Sequence, residues 1–132
     1  MITIKVTCLG IEPPIQKQFF LRDNIDEVIF YNTYERIVAK VNRKLKINLD
    51  ESIWLYSAYI IKHSRLGENT NKLIDKLSKL LTKDMVMFGV PEFMKKINFE
   101  ISIDCNCMLS FEIDKLFCMN NHFVEMRRSN TG

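Results

Sequence analysis

The stretch that decides the fold is Ile2-Thr3-Ile4-Lys5-Val6-Thr7-Cys8-Leu9-Gly10-Ile11-Glu12-Pro13-Pro14-Ile15-Gln16-Lys17-Gln18-Phe19-Phe20-Leu21. Ile2, Ile4, Val6 and Cys8 alternate with Thr3, Lys5 and Thr7, the period-2 pattern of a half-buried strand. Pro13 and Pro14 cannot both serve a strand ladder, so Gly10 to Pro14 turns the chain. A second strand follows over 15–21, with Ile15, Phe19 and Leu21 on its apolar row and Gln16, Lys17 and Gln18 toward water. Two adjacent strands joined by a tight turn read as a hairpin.

Beyond the hairpin the period changes to that of a helix. Asn24 or Asn32 can cap its start, each with a glutamate three residues on, Glu27 or Glu35, as in a capping box. Tyr34, Ile37, Val38, Val41 and Leu45 then form the buried stripe of the expected central helix, opposite Lys40, Arg43 and Lys44. Ser52 to Lys62 is rich in β-branched and aromatic residues and is expected to be a strand, either continuous or broken by a kink or hairpin within it. A shorter helix from Thr70 or Asn71 turns Leu73, Ile74, Leu77, Leu80 and Leu81 inward, and Met85 to Val90 is expected to be a strand closed by Pro91. Ile97 to Ile103 and Leu109 to Ile113 alternate as a hairpin connected by residues 104–108. The chain past Phe123 is polar, and 127–132 reads as a frayed tail.

The 132 residues are 47% hydrophobic, enough for one core and short for two. Four Gly and three Pro leave little linker material, so a single domain over 1–132 is expected. Its subdivision is a core at 1–90, a hairpin extension at 91–124 and a tail at 125–132. A net charge of +3 says little about partners by itself. No segment approaches the roughly 18 apolar residues of a membrane span, and the amino terminus lacks a secretory pattern, which predicts a soluble cytoplasmic protein. Cys8, Cys105, Cys107 and Cys118 are expected to be reduced thiols. High Ile, Lys, Asn and Phe points to an A+T-rich coding genome.

In this order, residues 2–90 resemble the ubiquitin-like β-grasp: hairpin, main helix, strand with a polar turn, short helical segment, final strand. Ile74 to Met87 is similar to that family's short helical turn, polar corner and last strand. The resemblance implies an α+β fold in which a β-grasp sheet packs on one main helix, with an added carboxy-terminal β-hairpin. Conjugated members end in Gly-Gly after the last strand, whereas here Val90 leads into Pro91 and the chain ends Asn130-Thr131-Gly132. A non-conjugated recognition module is therefore implied, rather than a covalent tag or sulfur carrier.

Three chemistries compete with plainer alternatives in this sequence. Cys105-x-Cys107 and Cys118-x3-His122 have tetrahedral zinc donors, but Cys118 falls at the far end of the hairpin, more than about 15 Å from the turn at roughly 3.3 Å per residue. No metal or cofactor is expected. His63 and His122 are the sole histidines, and no Ser-His-Asp order or Gly-rich phosphate loop accompanies them, so no catalytic residues are assigned and the chain is expected not to be an enzyme. Lys40, Arg43, Lys44, Lys72, Lys76, Lys79 and Lys83 could track phosphates of a nucleic acid. No aromatic residues interleave with them to stack bases, so a solvated helix face is favoured.

Trp54, Tyr56 and Tyr59, with Phe99 and Phe111, are the candidate partner-binding residues, because the expected strand over 53–61 is apolar on both faces. The leading expectation is a non-enzymatic interaction, adaptor or assembly module that binds another protein or a second copy of itself. The alternative is a nucleic-acid-binding accessory protein.

Overall fold

Ile2, Ile4, Val6 and Cys8 are all fully buried, while Thr3, Lys5 and Thr7 between them are partly exposed. This is the alternation that a strand needs when one face meets a core. The structure is a computed structural model that describes residues 1–104, 107–114 and 116–117. Strand β1 (Ile2–Cys8) pairs antiparallel with β2 (Ile15–Leu21) and, on its other edge, with β3 (Lys96–Ile103), which pairs antiparallel with β4 (Cys107–Asp114). The sheet order is β2-β1-β3-β4. The carboxy-terminal hairpin therefore extends the sheet through its centre: Ile97, Phe99 and Ile101 bury beside Cys8, Val6 and Ile4.

Helix α1 (Asn24–Asn42) begins at the earlier of the two expected starts. Its cap is Asp23, whose carboxylate accepts the Asp26 N–H at 2.9 Å, and not Asn24. Helix α2 (Leu49–Arg65) occupies the segment expected to be a strand. The physical reason lies at its ends and in its spacing. Asn48 and Glu51 form a complete capping box, at 2.8 and 3.0 Å, which satisfies two orphan N–H groups. Ile53, Tyr56, Ser57, Ile60 and Ile61 recur at the helical spacing, so burial along that stripe overrides the β propensity of its Ile and Tyr residues. At the other end Gly67 (φ 76°) closes a Schellman turn: Glu68 N–H bonds the His63 carbonyl and Gly67 N–H that of Ser64.

Eight residues of α2 are buried, against Phe30 and Ile37 alone in α1. The central helix is thus α2, a correction to the expectation that the helix capped by Asn24 or Asn32 is central, and Leu45 of its expected stripe lies beyond α1 and is exposed. Helix α3 (Thr70–Leu77) is capped by Asn69, buries Leu73 and Leu77, and packs on α2, as α1 does from another side. The strand expected over 85–90 is absent. Residues 83–85 form a 3-10 turn, Val86 makes a single parallel bridge to Ile47, and α4 (Val90–Phe93) starts at Gly89 with Pro91 in its first turn. Proline lacks the ladder donor but suits a helix start.

The fold is mixed α+β as expected, but two strands that the β-grasp resemblance required, 53–61 and 85–90, are not strands. The β-grasp arrangement gives way to an antiparallel sheet with helices stacked on one face. The inner sheet row, α2, Leu73, Leu77, Leu81, Met94 and Phe117 share one buried cluster.

Candidate functional site

The residues expected to meet a partner do not lie on one surface. Trp54, on α2, is partly buried in an aromatic cluster, stacked on Phe30 at 5.3 Å and edge-on to Phe19 at 4.9 Å. Its indole N–H donates to the Phe30 carbonyl at 3.0 Å, which fixes α1 against α2. Tyr56 is fully buried with its ring edge-on to Phe117, and burial drives its phenol far above the ordinary value. Tyr59 stacks on His63 at 4.1 Å, and Phe99, fully buried, faces the partly buried Phe111 at 5.5 Å on the inner sheet row. Helical rather than extended geometry over 53–61 turns Trp54 to the opposite side from Tyr56, because consecutive positions turn by about 100°; Tyr56 and Tyr59 stay about 60° apart but meet different rings, Phe117 and His63.

The basic residues divide between two helices. Lys40, Arg43 and Lys44 stand at the end of α1; Lys72, Lys76, Lys79 and Lys83 stand on α3 and the segment after it. Lys40 donates to Glu51 at 2.6 Å, Lys79 to Asp75 at 2.9 Å, and Lys76 to Glu68. Carboxylates at three of the seven positions draw down the positive field that phosphate tracking needs. A nucleic-acid partner gains no support from this arrangement.

Glu68 is the centre of a clasp between the α2 terminus and α3. It accepts from Lys76 and meets His63 Nδ1 at 2.6 Å, and the hydrogen bond from Lys76 holds its carboxyl below the usual range. Arg65 reaches back to Glu27 at 2.6 Å. These contacts join helices. Among the described residues no group of three or more His, Cys, Asp or Glu side chains could hold a metal ion. Cys105, Cys118 and His122, and the Cys107 side chain, lie outside the described part. Cys8 is fully buried, and burial pushes its thiol up to about 11.

The exposed apolar surface is formed by side chains outside the candidate set. Phe20 is 54% exposed on the outer face of the sheet, because Phe19 and Phe20 are neighbours in a strand and must point opposite ways. That signal was readable in the sequence. Ile25, Val28 and Ile29 line an exposed stripe of α1, and Phe88 stands fully exposed beside Gly89. On the outer face a hollow of about 490 Å³ opens between Phe20 and Met108, floored by Thr3 and Ser102. None of the described helices is long and apolar enough to cross a membrane.

Comparison with known proteins gives a consistent result. A family described as "Urease, gamma subunit" matches residues 21–110. The urease subunit gamma of Prochlorococcus marinus (strain MIT 9312) is 28% identical over 75 residues, which is 57% of this chain and 75% of that protein. The protein of the same name from Halalkalibacterium halodurans is 27% identical over the same shares, and that of Prochlorococcus marinus (strain NATL1A) 33% identical over 61 residues, 46% of this chain and 61% of the relative. The match overturns the ubiquitin-like resemblance, which rested on hydrophobic order without a motif. It also corrects the expectation that the chain is not an enzyme, since the matching family is one of enzyme subunits.

Proposed function

The chain belongs to the urease gamma subunit family, and from that premise we propose that it is a component of a multi-subunit urease whose own part is structural. The observation that carries this reading is the span of the match, which takes in α1 through α4, β3 and the first half of β4. An assembly role agrees with the helix clasps and the exposed apolar side chains of the described residues. Partners are the other urease subunits, in a cytoplasmic complex. The adaptor reading is replaced by that of a fixed subunit. Of the aromatic set, Trp54, Tyr59 and Phe111 retain some exposed surface for such contacts; Tyr56 and Phe99 support them from within.

The test is size fractionation of native extract, with immunodetection of this chain beside a urea-hydrolysis assay. The chain is expected to co-elute with the activity, and its depletion should remove activity from the fraction. Elution apart from the activity, with hydrolysis untouched by depletion, would refute the reading.

A further inference from the structure

The outer face of the sheet is matched to a second copy of itself. Antiparallel register sets its residues in straight rows across the four strands. One row runs Phe20, Thr3, Ser102, Met108, and the next places Lys5 directly beside Glu100 at the centre. A two-fold axis lying between β1 and β3, parallel to them, exchanges β1 with β3 and β2 with β4. Each row then faces its own counterpart. Lys5 of one copy meets Glu100 of the other, twice, and Phe20 meets Met108, twice, over the small Thr3 and Ser102 floors. No like charges are opposed in either row. Met108 is 82% exposed and Phe20 54%, so both apolar side chains stand free to fill the opposing hollow.

We propose that this chain associates with a second copy through the outer faces of the two sheets, in an isologous, aligned sandwich. The arrangement needs the amino-terminal hairpin. Lys5 and Phe20 precede the segment shared with the urease gamma family, whereas Glu100 and Met108 lie inside it. The self-complementary charge pattern therefore combines a strand outside the matched segment with one inside it, and it goes beyond the subunit reading. The face measures roughly 20 Å by 23 Å from strand spacing and rise, about half of a standard interface's area per partner. Association is thus expected to be weak and concentration-dependent.

Sedimentation equilibrium of the purified full chain, from low micromolar to near-millimolar concentration, reads the effect. Wild type should move from monomer toward dimer. K5E and E100K each oppose like charges at both contacts and should associate at least about tenfold more weakly. An equimolar mixture of the two variants opposes unlike charges at every contact and should associate at least as well as wild type. F20S and M108S should weaken association with no charge change, and circular dichroism verifies folding of each variant. The proposal is overturned by a wild type that stays monomeric throughout, by single charge variants that dimerise like wild type, or by a mixture no more associated than its components. Failure of co-elution with urease would leave these results untouched, so the two readings fail separately.

Discussion

Glu51 performs two jobs with one carboxylate, and substitutions can separate them. Oε1 accepts the Asn48 N–H at 3.0 Å, completing the capping box of α2, while Oε2 takes Lys40 Nζ at 2.6 Å and joins α2 to α1. Glu51→Gln keeps an oxygen for the cap and removes the charge; Glu51→Ala removes both. The Lys40 side chain is 38% exposed, so solvent screens the pair, and its loss with that of the helix-dipole interaction should cost about 0.5–1 kcal/mol. Losing the cap bond as well should bring Glu51→Ala to about 1.5–2.5 kcal/mol.

The pH dependence follows from the same contacts. Burial alone would raise the Glu51 carboxyl, but hydrogen bonds from Lys40 and the Asn48 backbone outweigh it and hold the group below its ordinary 4.5. A depressed carboxyl contributes stability that is complete above the ordinary value and is lost as pH falls through the lowered one. Urea denaturation, with m-values checked for constancy, should show wild type and Glu51→Gln separated at neutral pH and converging below 4.5. A Glu51→Gln variant as unstable as Glu51→Ala would refute the division of labour. So would a wild-type advantage that survives full protonation.

Two further outcomes are expected. Trp54→Phe loses the indole bond to the Phe30 carbonyl and part of the Phe19 and Phe30 ring contacts, but that carbonyl lies inside α1 and keeps its helical partner; the cost should be about 1–2 kcal/mol by urea titration, and a neutral substitution would contradict the geometry. Cys8, with no exposed surface and a raised thiol, should resist iodoacetamide in the folded protein at neutral pH and react once urea unfolds it, as read by peptide mass; rapid labelling of the native state would show that the β1 row opens.

Most of the sheet was legible because alternation is a local signal. The rows Ile2 to Cys8 and Ile97 to Ile103 need only one covered face, and residue order reports it. The Thr70 helix and the second hairpin were legible for similar reasons, whereas the first helix start stayed open between Asn24 and Asn32 and its cap proved to be Asp23. The segment 53–61 was not, because Ile, Tyr and Trp favour strands by side-chain shape yet also fill a buried helix on most of its faces; the Asn48 and Glu51 cap was the local cue that could have decided it. Candidate surfaces inherited that error. Once 53–61 turns as a helix, Trp54, Tyr56 and Tyr59 point to different neighbours. Lys40 and Lys76 likewise meet carboxylates that no spacing rule joins, whereas Lys79 and Asp75 form an i,i+4 pair that the helical spacing alone could have shown.

By itself, then, the sequence determined an α+β chain with two alternating hairpins, amphipathic helices and a reduced, buried Cys8 row, since each depends on contacts within a few residues or on simple alternation. Tertiary structure decided that β1 joins the two hairpins by pairing with β3, that α2 rather than α1 is the central helix, and that Lys5 stands beside Glu100 and Phe20 across from Met108. Those are pairings between segments far apart in the chain. They are fixed by which apolar faces bury one another, a choice made by the whole core at once and by no single stretch of residues.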